Sequence, residues 1–214
     1  DIPSWWTHIA GWDHGANDPT SIHCGSINPD GHVYWWGEIY TTGKTVRQYS
    51  LMLETMLRGK GLTVLGTDPS AKQIRIELAA LGVTTTIPRD KQVESRIIRI
   101  TELLNLDMMH LFEGRVPHLE AQLESYEWDE NDPGKPRAGQ EDHAVDDIGY
   151  ALLSGAQPPQ VDPGDPDTVL GETPQQARMW RGLRKRMREE DEEKAGSELL
   201  SVLDDDPFEE QTHV

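Results

Sequence analysis

The chain has a single cysteine, Cys24, among its 214 residues. One thiol excludes an internal disulfide and a zinc site of clustered cysteine and histidine ligands, and it fits a reducing compartment such as the cytosol. No apolar stretch approaches the roughly 20 residues of a membrane-spanning helix, and no signal-peptide pattern opens the chain. These absences argue against a disulfide-stabilised secreted domain and against a membrane protein.

Basic residues are also scarce, with 20 lysines and arginines against 38 aspartates and glutamates, for a net charge of −18. This balance argues against binding nucleic acid through overall charge alone. A nucleic-acid enzyme with this composition needs local basic patches, bound metal ions or a partner domain. The chain begins with Asp1 rather than Met, so we expect a fragment or a processed form, with one domain of about 150 residues and an extension.

Strand and helix patterns alternate along the first three quarters of the chain. The stretches 7–13, 20–27 and 31–40 have the pattern of strands, and an Asn-Pro-Asp-Gly turn signal separates the last two, so we expect an antiparallel three-strand meander. The pattern then predicts helices near 44–59, 71–82, 93–104 and 142–155, a short helix after Pro117, and strands at 62–67, 83–87 and 108–112. This order predicts an α/β fold with a central mixed sheet flanked by helices.

The character of the sequence changes after Gly155. We predict a domain over residues 1–155, a linker rich in proline, glycine and aspartate over 156–173, and a charged tail over 174–214 that begins with an arginine-rich helix. Residues 127–140 form a long polar loop inside the domain, and long ordered loops are often functional.

Three aspartates stand where an element ends or begins. Asp13 closes the first predicted strand, Asp68 closes the strand 62–67, and Asp146 lies on the helix near 142–155. Neighbouring strands lie about 4.8 Å apart, so Asp13 and Asp68 can reach a common ion, and a helix crossing the sheet edge can add Asp146. Mg²⁺ and Mn²⁺ prefer carboxylate oxygens, and two such ions suit phosphodiester hydrolysis.

Two further residues of the last helix belong to this hypothesis. His143 precedes Asp146 by three positions and therefore faces the same way, where it can bind metal, orient a water or contact a phosphate. Asp147 points about 100° away from Asp146, so only one of the two aspartates is easily a direct ligand. We choose Asp146 and keep Asp147 as the alternate ligand. Each aspartate alone also fits an ordinary turn, cap or surface residue.

Other signals are weaker. Lys44 sits in a Gly-Lys-Thr sequence, but the glycine spacing of a phosphate-binding loop is missing. Cys24 lies in mid-strand with no base in view, which argues against a nucleophile. For DNA contact, Lys135 and Arg137 in the long loop are the better candidates. A second basic group has two interpretations. Its members either contact DNA phosphates or cover the solvent-facing side of a helix: Arg89, Lys91, Arg96 and Arg99.

The quoted motifs resemble a known family. Gly-Trp-Asp-His-Gly at 11–15, Thr-Asp-Pro-Ser at 67–70 and Asp-His-Ala-Val-Asp at 142–146 are similar to the nuclease domain of the large terminase subunit of tailed bacteriophages. The resemblance spans about residues 7–154. It implies an RNase H-like fold and a metal-binding triad of Asp13, Asp68 and Asp146, with His143 beside the third acid.

The resemblance also implies an activity and partners. It implies a metal-dependent endonuclease that cuts concatemeric double-stranded viral DNA during genome packaging, with Mg²⁺ or Mn²⁺, in the cytoplasm of the infected bacterial host. An ATPase motor domain, absent from this chain, is implied as a partner in the full-length protein, together with the portal and the small terminase subunit. Another RNase H-like nuclease, such as a junction resolvase or transposase core, and a non-catalytic packaging docking module remain alternatives.

Overall fold

A computed structural model describes residues 2–15, 18–130, 132 and 135–158, and the backbone of residues 161, 162 and 165–169. The chain divides into two compact units, Asp1–Pro159 and Gln160–Val214. The predicted helix within 174–194 and the rest of the tail lie outside the described residues. The predicted domain and linker bounds stay a prediction.

The first unit is built on a mixed five-stranded sheet. Its strands are β1 (Thr7–Asp13), β2 (Thr20–Ile27), β3 (Val33–Thr41), β4 (Leu62–Thr67) and β5 (Met109–Leu111). The strand order is β4-β1-β2-β3-β5. Strands β1, β2 and β3 pair antiparallel, which confirms the predicted meander, while β4 and β5 add parallel to β1 and β3.

Five helices accompany the sheet in the described part of this unit. They are α1 (Val46–Leu57), α2 (Lys72–Ala80), α3 (Val93–Asn105), α4 (Pro117–Ser125) and α5 (His143–Leu153). One face of the sheet buries an apolar cluster with α3, α4 and α5, and the other face buries a second cluster with α1 and α2. Each described helix is too short or too polar to cross a membrane.

One local prediction is wrong. Residues 83–87 do not form a strand: only Thr86 bridges to the sheet, and its N–H and C=O already bond Leu65 and Thr67. Asp142 precedes α5, where an aspartate often caps a helix, but its side chain makes no capping hydrogen bond. In the second unit, the described backbone consists of two antiparallel strands, β6 (Val161–Asp162) and β7 (Asp165–Val169).

Candidate active site

Asp13 and Asp68 lie side by side at one edge of the sheet. Strands β1 and β4 run parallel, and Trp12 is in register with Thr67, so the residue that follows each is an aspartate. The carboxyl ends of parallel neighbours meet at the same edge, about 4.8 Å apart. The strand register therefore brings together two of the three predicted acids.

Helix α5 brings the third acid because it lies directly on the sheet. It packs across β1, β2 and β4. A Cβ added to Gly11 would stand 1.9 Å from the carbonyl oxygen of Asp147, and one added to Gly66 would stand 2.4 Å from the backbone of Tyr150. Only residues without a side chain permit this approach, and Asp146 on the same helix lies within electrostatic reach of Asp13.

Asp13 is paired with the predicted histidine. The Nδ1 atom of His143 lies 2.7 Å from Oδ2 of Asp13, and both side chains are mostly shielded from solvent. The hydrogen bond to Asp13 is the main cause that raises the pKa of His143, so the imidazole donates to the carboxylate. No protein hydrogen bond to the other oxygen of Asp13 is present among the described residues, and that oxygen remains available to a ligand.

Asp146 is paired with an arginine from α3. The Nη2 atom of Arg96 donates to Oδ1 of Asp146 over 2.7 Å, with 6% and 21% of the two side chains exposed. Burial raises the pKa of Asp146 to about 6, against the opposing charge of Arg96. Arg96 is held between Gly149, where an added Cβ would lie 2.8 Å from its side chain, and the ring of Tyr150 at 4.7 Å.

The burial of Arg96 corrects the sequence interpretation. Helix periodicity placed this residue on a solvent or phosphate-contacting face, yet Arg96 is buried and ion-paired beside the site. The signal that sequence reasoning missed is Gly149, whose missing side chain opens the space that the arginine fills. Asp142 is a second missed neighbour, since its charge is among the causes that raise the pKa of Asp146.

Asp147 has a different environment from Asp146. Its side chain is fully buried, and its Oδ2 accepts hydrogen bonds from Ser21 Oγ at 2.5 Å and from His23 Nδ1 at 2.7 Å. Its Oδ1 has no hydrogen-bond partner in the described structure. Burial raises the pKa of Asp147, against the opposing charge of His23.

A chain of alternating charges continues from Asp147 through the sheet. The Nε2 atom of His23 donates to Glu38 over 2.9 Å, and Glu38 in turn accepts from the half-exposed His118 at 2.5 Å. Burial alone lowers the pKa of His23, but the carboxylates of Asp147 and Glu38 outweigh it and raise that pKa to about 9. The imidazolium is therefore a buried cation at neutral pH, and it ties α5 to β2 and β3.

Tyr150 lies within electrostatic reach of all three predicted acids. Burial is the main cause that raises the pKa of its hydroxyl, and the charges of Asp146, Asp13 and Asp68 raise it further. Asp68 itself accepts from the backbone N–H of Ser70 at 2.7 Å and from its hydroxyl at 2.6 Å.

The donor chemistry of these acids suits a hard divalent cation, because three carboxylates and no sulfur face one region. Their present conformations are less suited to it. Within the described ranges, no three histidine, cysteine or acidic side chains converge closely enough to hold an ion. Because Asp13, Asp68 and Asp146 do not converge, at least one of these carboxylates must move for a single cation to bind all three.

Two of the predicted DNA-contact residues are ion-paired with other acidic residues. Lys135 is paired with Asp132 at 2.6 Å and Arg137 with Glu127 at 2.5 Å, all on exposed surface. Lys91 is exposed just before α3. Their contact with DNA stays a prediction.

Comparison with known proteins gives matches in structure. No protein-family model and no curated protein matches the sequence. Among solved structures, the large terminase of a thermophilic bacteriophage superposes with a TM-score of 0.60 at 22% identity, covering 70% of this chain and 40% of that one. The chain therefore spans about two fifths of that protein's length.

Two isolated nuclease domains match over most of their own length. The large terminase nuclease domain of phage P22 has a TM-score of 0.58 at 18% identity and covers 72% of this chain and 83% of that one. The nuclease domain of the phage SPP1 large terminase, solved with bound Mn, has a TM-score of 0.55 at 16% identity and covers 68% and 84%. The chain thus has the RNase H-like fold of the nuclease domains of phage large terminases, as its sequence motifs predicted.

Proposed function

We propose that this chain is the nuclease domain of a large terminase and cleaves concatemeric double-stranded viral DNA during genome packaging. One observation supports the proposal: the strand register aligns the residues before Asp13 and Asp68, and α5, seated on Gly11 and Gly66, carries Asp146 within electrostatic reach of Asp13. The shared fold and the Mn bound to the SPP1 domain support the same conclusion.

We propose that Asp13, Asp68 and Asp146 hold the metal, with Mg²⁺ or Mn²⁺ as the cofactor and two ions as the expected number. Such ions, when bound, supply a nucleophilic water and stabilise the charge on the leaving oxygen. Asp147 remains the alternate ligand, although its oxygen Oδ2 is already used by Ser21 and His23.

The neighbouring side chains then have positioning roles. His143 fixes the rotamer of Asp13 through one oxygen and leaves the other for a ligand. Arg96 does the same for Asp146 and offsets the repulsion between crowded carboxylates. Such second-layer contacts orient metal ligands, and their loss typically costs about 10- to 100-fold in metal affinity or activity.

Cleavage of supercoiled plasmid DNA in Mn²⁺ tests the activity. Replacing Asp13, Asp68 or Asp146 by asparagine should abolish cutting while the circular dichroism spectrum stays unchanged. Asp30→Asn, in an exposed turn at the opposite edge of the sheet, is the matched control and should cut like the parent. Full activity in all three site variants would refute the proposal.

The proposed partners follow from the family resemblance. They are double-stranded DNA, an ATPase motor domain in the same full-length protein, the portal and the small terminase subunit, and the proposed location is the cytoplasm of the infected host. The chain spans about two fifths of the thermophilic phage terminase, which leaves room for a motor in a full-length protein of that kind.

A second candidate is a non-catalytic docking module. The observation that favours it is that Asp13, Asp68 and Asp146 already have protein partners in the described structure. Calorimetric titration with Mn²⁺ separates the two functions: heat of binding that disappears in Asp13→Asn supports the nuclease, and no heat in the parent supports the docking module.

A further inference from the structure

A groove runs along the outer edge of β3, and its lining does not include Asp13, Asp68 or Asp146. Strand β5 pairs only with Val33, Tyr34 and Trp35, so residues 37–41 of β3 have a neighbouring strand on the β2 side alone in the described structure. An open edge presents unpaired backbone N–H and C=O groups, which can accept an added strand. We call this feature, with its cavity of about 950 Å³, the edge groove.

The wall of the edge groove is apolar. Met52 and Met56 of α1 line it together with Leu51, which is 62% exposed, and Phe112, which is 39% exposed. Methionine side chains adapt to irregular ligands and are common at surfaces that bind several sequences. Apolar groups gathered beside an open strand edge favour a partner that also has apolar side chains.

The groove also carries four cations: Lys44, Arg58, Lys60 and Arg115. In the described part of the chain, none of them forms an ion pair with a carboxylate, although the whole protein has a net charge of −18. Glu38, the one acidic residue of the lining, is occupied by His23 and His118. The rim is therefore locally positive and selects an anionic partner.

We propose that the edge groove binds an extended segment of a partner protein in which acidic and apolar side chains alternate. In a strand, successive side chains point to opposite sides, so the apolar set can contact the methionines while the acidic set lies toward the rim, within reach of the long lysine and arginine side chains. Main-chain hydrogen bonds to residues 37–41 would provide the part of the affinity that does not depend on the partner's sequence. A DNA backbone satisfies the cations but leaves the apolar wall and the strand edge without partners.

The test uses the full chain and fluorescein-labelled peptides of about ten residues, long enough to follow the ~17 Å of a five-residue edge. The probe alternates glutamate with valine. The comparison peptides alternate lysine with valine and glutamate with serine, and a short DNA duplex is the fourth ligand. Fluorescence anisotropy gives the affinities, and hydrogen exchange reports protection of the amides of residues 37–41.

We expect the glutamate–valine peptide to bind at least about tenfold more tightly than either comparison peptide, and to slow exchange at residues 37–41. The double variant Arg58→Glu/Arg115→Glu should weaken that binding about tenfold or more, as should Leu51→Glu. Arg47→Glu/Lys72→Glu, which reverses exposed cations outside the groove, is the matched control and should bind like the parent.

The proposal is overturned if the glutamate–valine peptide does not bind, or if it binds the double variant as well as the parent. It is also overturned if the duplex alone loses affinity in the double variant, since the groove would then be a DNA surface. Because plasmid cleavage is not a readout here, failure of this proposal leaves the proposed nuclease function untouched.

Discussion

Replacing Arg96 by methionine probes how the acidic site is kept together. Methionine retains an apolar stem against Gly149 and the ring of Tyr150 but removes the charge that faces Asp146. Breaking a buried ion pair costs about 3–5 kcal/mol, because the remaining charge stays desolvated. Asp146 keeps 21% of its side chain exposed, so we expect the lower end, about 3 kcal/mol of unfolding free energy.

Urea unfolding at pH 8, followed by circular dichroism, measures this loss. Adding Asp146→Asn to Arg96→Met removes the unpaired carboxylate and should return about 1–2 kcal/mol, which a double-mutant cycle reveals as coupling. Arg99→Met removes an exposed arginine on the same helix, in a surface pair with Glu102, and should cost at most about 0.5 kcal/mol.

The pH dependence of the penalty provides a second check. The pKa of Asp146 is about 6 in the folded protein and lies above its unfolded value, so the native state binds more protons and stability falls as pH rises through this range. Without Arg96 the carboxyl titrates higher still, and the penalty should shrink as pH falls from 8 to 5 because Asp146 takes up a proton. A penalty that is small at pH 8, or that is equal at both values, would refute the reasoning.

Three further predictions concern the elements around this pair. The protonated ring of His23 stabilises the fold, so the parent should lose stability as pH rises from about 6.5 through 9. His23→Gln should abolish this pH-dependent loss. Urea unfolding at several pH values across the range measures it. His143→Asn should lower the Mn²⁺ affinity measured by calorimetry about 10- to 100-fold while leaving Asp13 in place, and unchanged affinity would contradict a positioning role. Gly66→Ala should cost at least about 1–3 kcal/mol in thermal unfolding, since the new Cβ overlaps the backbone of α5, whereas Gly61→Ala, with open space around it, should be close to neutral.

The sheet was predictable from sequence because its signals are local. Alternating β-prone stretches around an Asn-Pro-Asp-Gly turn specified the meander, and the nearly continuous apolar run 62–67 specified a strand that is buried in its second half. Residues 83–87 have the same β-branched composition but pair through Thr86 alone. Composition indicates that a segment can be extended, while the number of rungs depends on tertiary neighbours.

The proposed metal ligands could be located from sequence, whereas their hydrogen-bond and ion-pair partners could be located much less well. Asp13, Asp68 and Asp146 stand at element ends, which sequence periodicity locates. The contacts of Arg96 and His23 depend on which side chains face each other across separate elements. A histidine in mid-strand, aligned by register with Glu38, was a signal available only once the register of β2 and β3 was known.

The packing of α5 on Gly11 and Gly66 limits the positions that the site carboxylates can take. The depth of the helix is limited by backbone touching backbone, where even a fraction of an ångström meets steep repulsion. The packed main chain therefore sets the distances between the Cα atoms of Asp13, Asp68 and Asp146. Because aspartate has a short side chain, each carboxylate stays close to its own Cα atom. In a chain with one cysteine, and therefore no internal disulfide, two glycines thus limit how far α5 can move relative to β1 and β4.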